Sequence, residues 1–219
     1  MKFFLLFWRL FLFFLPKTAF TRAGVDKSSL FLYNKNAIRG KRDGRMNHRD
    51  KAKFLFESGA QCAQATFGAL CDVTGLPLED ALALSASFGG GMGRMREVCG
   101  ALSGVLMAVG MHFGRYPLGD ESTAPNKDRH YRLTQYVSAE FKRRVSSIYC
   151  YQLLGLPHAA QVPVSQPRTK DFYRTRPCLG IILAAVEVFD ELLEAERNGT
   201  PEELIAPEKV AEITAFLNE

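Results

Sequence analysis

The chain has 219 residues, 47% apolar and 23% charged, the balance of a globular domain with its own core; wholesale disorder, collagen-like repeats and a multi-span membrane protein are excluded. The formal net charge of +5 suits a nucleic acid or a membrane surface, but it is unevenly spread. Up to Arg45 there are ten Lys and Arg against two Asp and Glu, and from Met46 eighteen against twenty-one, so the body is mildly acidic and argues against a phosphate-backbone binder.

The first segment, MKFFLLFWRLFLFFLP, is a run of Phe and Leu broken by Arg9. It is short for a transmembrane helix, which wants roughly 20 apolar residues without a central charge. A signal-peptide core ending at Thr21-Arg22-Ala23 is one reading, a membrane anchor another. The preferred one is an extension read in frame ahead of a start at Met46, because there is almost no basic n-region and no periodicity from Lys27 to Arg45. Residues 1–45 are therefore set apart from the fold, and the body is expected in the cytoplasm, with export as the alternative.

From Asn47 to Val73 the spacing predicts one amphipathic helix, with Leu55, Cys62, Thr66 and Ala69 on an apolar seam. Gly75 stops it, and Pro77 with Glu79 and Asp80 starts a second helix to about Phe88. Gly89-Gly90-Gly91-Met92-Gly93-Arg94 reads as a tight turn; it lacks the Lys-Ser/Thr of a phosphate loop and follows a helix, not a strand. The helix after Glu97, running to about Gly114, is apolar all round and hence buried, with Gly100, Gly104 and Ala108 leaving one face bare for a neighbouring backbone. Asn126 to Val145 is helical. Cys150 to Gly155 is a short helical turn, and residues 157–176 form a Pro-rich loop. Pro177-Cys178 opens a helix to about Asn198, and Pro207 to Leu217 closes the chain. No segment reads as a strand. The expected architecture is all-α, a bundle of five or six helices around the buried Gly-rich helix. Its divisions are 1–45, a four-cysteine domain over 46–198, and a terminal piece over 199–219.

Five cysteines lie in the body, with no Cys-x-x-Cys and therefore no thioredoxin motif or zinc ribbon. His48, His112, His130 and His158 show no ligand spacing. Cys99 and Cys178 are expected near helix starts, where the dipole and free N–H groups favour a thiolate; these two are read as the reactive thiols. Cys62 and Cys71 are nine residues apart, which on one helix is half a turn out of phase with about 13.5 Å of rise. Cys71 is therefore assigned no role.

Ala-Gln-Cys62-Ala-Gln-Ala, Phe88-Gly-Gly-Gly-Met-Gly-Arg-Met95 and Cys99-Gly-Ala-Leu-Ser-Gly104 together resemble the C_GCAxxG_C_C family, small α-helical proteins thought to be redox-active. The match covers roughly Met46 to Asn198. The resemblance implies a functional set of Cys62, Cys99, Cys150 and Cys178. These would ligate a [2Fe–2S] or [4Fe–4S] cluster, the slightly preferred reading, or cycle as dithiol and disulfide. A closed zinc site of four cysteines in a binding or trafficking module is the alternative, and a helical interaction module without a site is a third. The partners expected are an unidentified redox protein and a second copy of the chain, with no nucleic acid and no stable membrane insertion of the body.

Overall fold

The computed structural model describes residues 46–219; the readings of residues 1–45 lie outside the described residues. Asn47 opens the first helix, α1 (His48–Glu57), its side-chain oxygen accepting from the Asp50 N–H at 2.7 Å. α1 stops at Ser58, and Gly59 takes a left-handed φ of +101°. The chain restarts at Cys62 as α2 (Cys62–Ala69), capped by reciprocal bonds between Gln61 and Gln64. The single helix expected over 47–73 is thus three pieces, the last being the short turn Cys71–Thr74 closed by Gly75 in the left-handed region. The apolar seam ran through the break because both helices bury one face against the same core, so periodicity alone gave no sign of it.

α3 (Leu78–Ser85) follows and tightens into a 3-10 turn over Ala86–Phe88. Residues 89–96 then form the expected turn, with Gly90, Gly91, Met92, Gly93, Arg94 and Arg96 all at positive φ. The central helix is α4 (Gly100–Phe113), and none of its residues is exposed. Its glycines allow the predicted close approach. A Cβ on Gly104 would lie 2.7 Å from the Ala63 carbonyl oxygen, and one on Gly100 would lie 2.7 Å from that of Phe88. α2 therefore lies almost backbone to backbone against α4.

The outer layer is α5 (Thr123–Val145), α6 (Cys178–Arg197) and α7 (Pro207–Asn218). Ile182, Val186, Phe189 and Leu193 of α6 are buried as the stripe predicts; Phe56, Phe67, Phe141 and Leu133 complete the centre. The loop over 157–176 carries one short helix, Lys170–Thr175, started by the Thr169 side chain accepting from the Phe172 N–H. Among the described residues there is no strand, only an isolated antiparallel bridge between Val98 and Tyr149. The fold is all-α. No helix among the described residues is long and apolar enough to cross a membrane.

Candidate functional site

Each of the four cysteines singled out in the sequence stands at a helix start. Cys62 is the first residue of α2, Cys99 the cap of α4, Cys150 the first residue of the short helix Cys150–Leu153, and Cys178 the first residue of α6. Cys62 is not the mid-helix thiol the sequence suggested, because the chain breaks at Gly59.

Backbone pairing sets two of the thiols side by side. The Cys99 N–H donates to the Ile148 carbonyl at 2.8 Å, and the Cys150 N–H to the Glu97 carbonyl at 2.7 Å. Gly91 permits this, since a Cβ there would sit 2.6 Å from the Cys150 Cβ. Cys62 is brought in by the close packing of α2 on α4, its Cβ 3.4 Å from where a Gly100 Cβ would be. All four cysteines border one cavity of about 20 Å³. Cys71 does not border it; burial pushes its thiol up to about 11, beside Asp72 and Lys51.

The four thiols are electrostatically unequal. Cys178 is lowered to about 7, first by its interaction with the Cys62 thiol, with burial opposing and Arg176 and Arg168 assisting. Cys62 is raised by the same interaction and by burial. Their proximity thus favours the anion on Cys178 and the neutral thiol on Cys62. Cys99 departs from the expectation of a reactive thiol. Burial pushes it up to about 12, although the Ala101 and Leu102 N–H groups at the head of α4 pull the other way. The helix-start effect is present at Cys99, but it amounts to under about one pKa unit and burial outweighs it. Cys150 is also raised by burial, against a hydrogen bond from Arg96 Nη1 at 3.7 Å.

Outside the thiols lies a pocket of about 310 Å³ whose floor includes Cys62, Cys150 and Cys178 but not Cys99. Arg94, Arg96, Arg168 and Arg176 line it. Gln161 Oε1 accepts from Arg96 Nη2 at 2.6 Å and from Arg94 Nη2 at 3.3 Å, pinning the Pro-rich loop over the site. Arg168 stacks on Phe56 and Phe172 at 5.1 and 4.7 Å and donates to the Ala60 carbonyl. The sequence reading missed these arginines. The available signal was two basic clusters near signature cysteines, Arg94 and Arg96 ahead of Cys99 and Arg168 to Arg176 ahead of Cys178.

Four thiols are the right donor chemistry for an iron–sulfur cluster or for zinc. The space they share, however, holds about one water-sized sphere. Among the described residues no group of three or more Cys, His, Asp or Glu is arranged to hold a metal ion. In this arrangement the space is too small for an iron–sulfur cluster, and the thiols are not disposed as a tetrahedral zinc site.

The fold and the site define an all-α protein with four thiols gathered at converging helix starts. Residues 60–192 match the family described as "Putative redox-active protein (C_GCAxxG_C_C)", and the chain belongs to this family. No curated protein and no solved structure matches the chain.

Proposed function

We propose that the protein is a thiol–disulfide redox protein in which Cys62 and Cys178 cycle between dithiol and disulfide. The observation that carries this reading is geometric: Cys62 and Cys178 head two helices that pack on each other, and both border the small shared cavity and the floor of the open pocket, with Cys178 drawn toward the thiolate by Cys62 and the nearby arginines. A thiolate next to a thiol is the reduced form of a disulfide couple, poised near neutral pH. Cys178 attacks the sulfur of a disulfide and forms a mixed disulfide, and Cys62 then displaces it to give the Cys62–Cys178 bond. The pocket wall supplies positive charge that favours the attacking anion. Cys150 borders the pocket floor beside the pair, while Cys99 lies outside the pocket lining. A cluster or zinc held by Cys62, Cys99, Cys150 and Cys178 is the rival reading; the size of the shared cavity disfavours the cluster and the disposition of the thiols disfavours zinc.

Limited oxidation followed by non-reducing peptide mapping separates the two. A Cys62–Cys178 disulfide is expected, along with less than stoichiometric iron, sulfide and zinc after anaerobic purification. Stoichiometric metal that is lost in Cys178→Ser would overturn the dithiol reading.

A further inference from the structure

The pocket above the thiols has an unusual charge balance. Four guanidinium groups line it and no Asp or Glu does. Among the described residues, none of the four forms an ion pair with a carboxylate. Their side-chain partners are Gln161 for Arg94 and Arg96, the Cys150 sulfur for Arg96, and Gln166 and the Cys178 thiol for Arg176. Arg96 is only 2% exposed, yet its Nε has no hydrogen-bond partner, and the Arg94 Nε is likewise buried without one. Buried charge is ordinarily paired, because an unpaired charge taken from water loses its hydration without compensation. Arg94 is also depressed, first by burial and then by Arg96 and Arg176, so the positive charges crowd one another. Even with a thiolate on Cys178, this wall carries more positive charge than its own residues balance, which favours a bound anion.

Size and lining narrow the anion. A pocket of about 310 Å³ lies at the small end of organic-ligand sites and is far larger than an inorganic oxyanion needs. Phe56, Phe172, Leu154 and Pro163 offer apolar wall between the charges, which suits short methylene arms. Planar guanidinium groups match carboxylates in two-point hydrogen bonding. The sulfur of Cys178 lies on the floor.

We propose that this pocket binds a small, carboxylate-bearing disulfide, its carboxylates held by the arginines and its sulfur presented to Cys178. The inference rests on the dithiol reading and adds its substrate class. In one turnover the Cys178 thiolate attacks one sulfur of R–S–S–R. The S–S bond breaks, R–S⁻ leaves and Cys178–S–S–R forms. Cys62 gives its proton to the departing thiolate and attacks the Cys178 sulfur, releasing the second thiolate and closing Cys62–Cys178. Two electrons pass from the protein dithiol to the small disulfide, which becomes one thiol and one thiolate.

The test is a single-turnover comparison on the full-length, pre-reduced protein. Dithiodiglycolate carries two carboxylates, hydroxyethyl disulfide is neutral, and cystamine carries two ammonium groups. Each rate of thiol release is divided by that of the same disulfide with a free small thiol, which removes intrinsic reactivity. The anion is expected to exceed the cation by about tenfold or more, with the neutral compound between. Arg94→Gln and Arg168→Gln should each shrink that ratio, with the circular dichroism spectrum checking that they fold. Equal normalised rates for all three compounds would overturn the anion site and leave the dithiol reading standing. If none of the disulfides reacts, calorimetry with the non-reducible thiodiglycolate decides. Binding weakened by Arg94→Gln supports the anion site while the dithiol reading falls, and no binding overturns the site as well.

Discussion

Cys178 and Cys99 show how two thiols with the same local signature come to opposite states. Both stand at the head of a long helix. Cys178 opens onto the pocket and has Cys62 and Arg176 beside it, while Cys99 is buried behind. Alkylation of the reduced protein, followed site by site by mass spectrometry, is expected to label Cys178 first. Its rate should rise with pH through a midpoint near 7. Cys99, up at about 12, and Cys71, up at about 11, should react slowly until far more alkaline pH. Cys62→Ser should slow Cys178 at neutral pH by weakening the stabilisation of its thiolate. A Cys99 that reacted as fast as Cys178 would mean the burial argument had misjudged its surroundings.

Helix pairing carries the site, and two of its contacts can be tested directly. α2 and α4 meet where Gly104 faces the Ala63 carbonyl and Thr66. Gly104→Ala should force these backbones apart, costing roughly 1–3 kcal/mol as overpacking does, and a denaturant melt measures it. The gain in intrinsic helix propensity, about 1 kcal/mol at most, acts in the other direction. The second contact ties α1 to its neighbours. His48 hydrogen-bonds to Asp190 through Nδ1 and to Asp72 through Nε2 at 3.1 Å, and Lys51 reaches Asp72 at 2.8 Å. Burial pulls the His48 pKa down, but the hydrogen bonds to Asp190 and Asp72 outweigh it and raise it to about 9. Its stabilising contribution is therefore whole below about 6.5, the unfolded value, and is lost as the pH rises through about 9. Burial raises the Asp72 pKa, but His48 and Lys51 outweigh it and hold it below the usual carboxylate range. That part is present above about 3.8 and lost as the pH falls. His48→Leu should cost about 1–3 kcal/mol near neutral pH and progressively less above pH 9, read from urea melts across that range.

At the scale of the whole molecule, the Pro-rich loop is the roof of the site, and one glutamine fastens it. Gln161 accepts from both Arg94 and Arg96, and its backbone N–H donates to the Arg94 carbonyl at 3.1 Å. Replacing it by Leu removes the strongest partner of a buried guanidinium. The expected loss is about 1–3 kcal/mol, with faster proteolysis confined to residues 157–169. Uniform protection of the loop in Gln161→Leu would show that Arg168 and Arg176 hold the roof unaided.

The sequence by itself determined the all-α class, the buried α4 with its glycine face and the α6 stripe, because 3.6-residue periodicity and a bare Gly100 and Gly104 are local properties of the chain; its motifs also carried the family. It did not determine where α1 ends. Two helices burying one side against a common core preserve a seam across a break, and Gly59 was hidden within it. Only the tertiary structure decided that Cys62 heads a helix and that Cys99 is buried; Cys71, set aside on a phase argument that assumed one continuous helix, lies off the shared cavity and begins a separate helical turn. The tertiary structure alone brought Arg94, Arg96, Arg168 and Arg176 to one wall. Desolvation and charge proximity depend on what lies across space from a residue, and segments some seventy positions apart, such as those carrying Arg96 and Arg168, meet only when the loop folds back over the bundle.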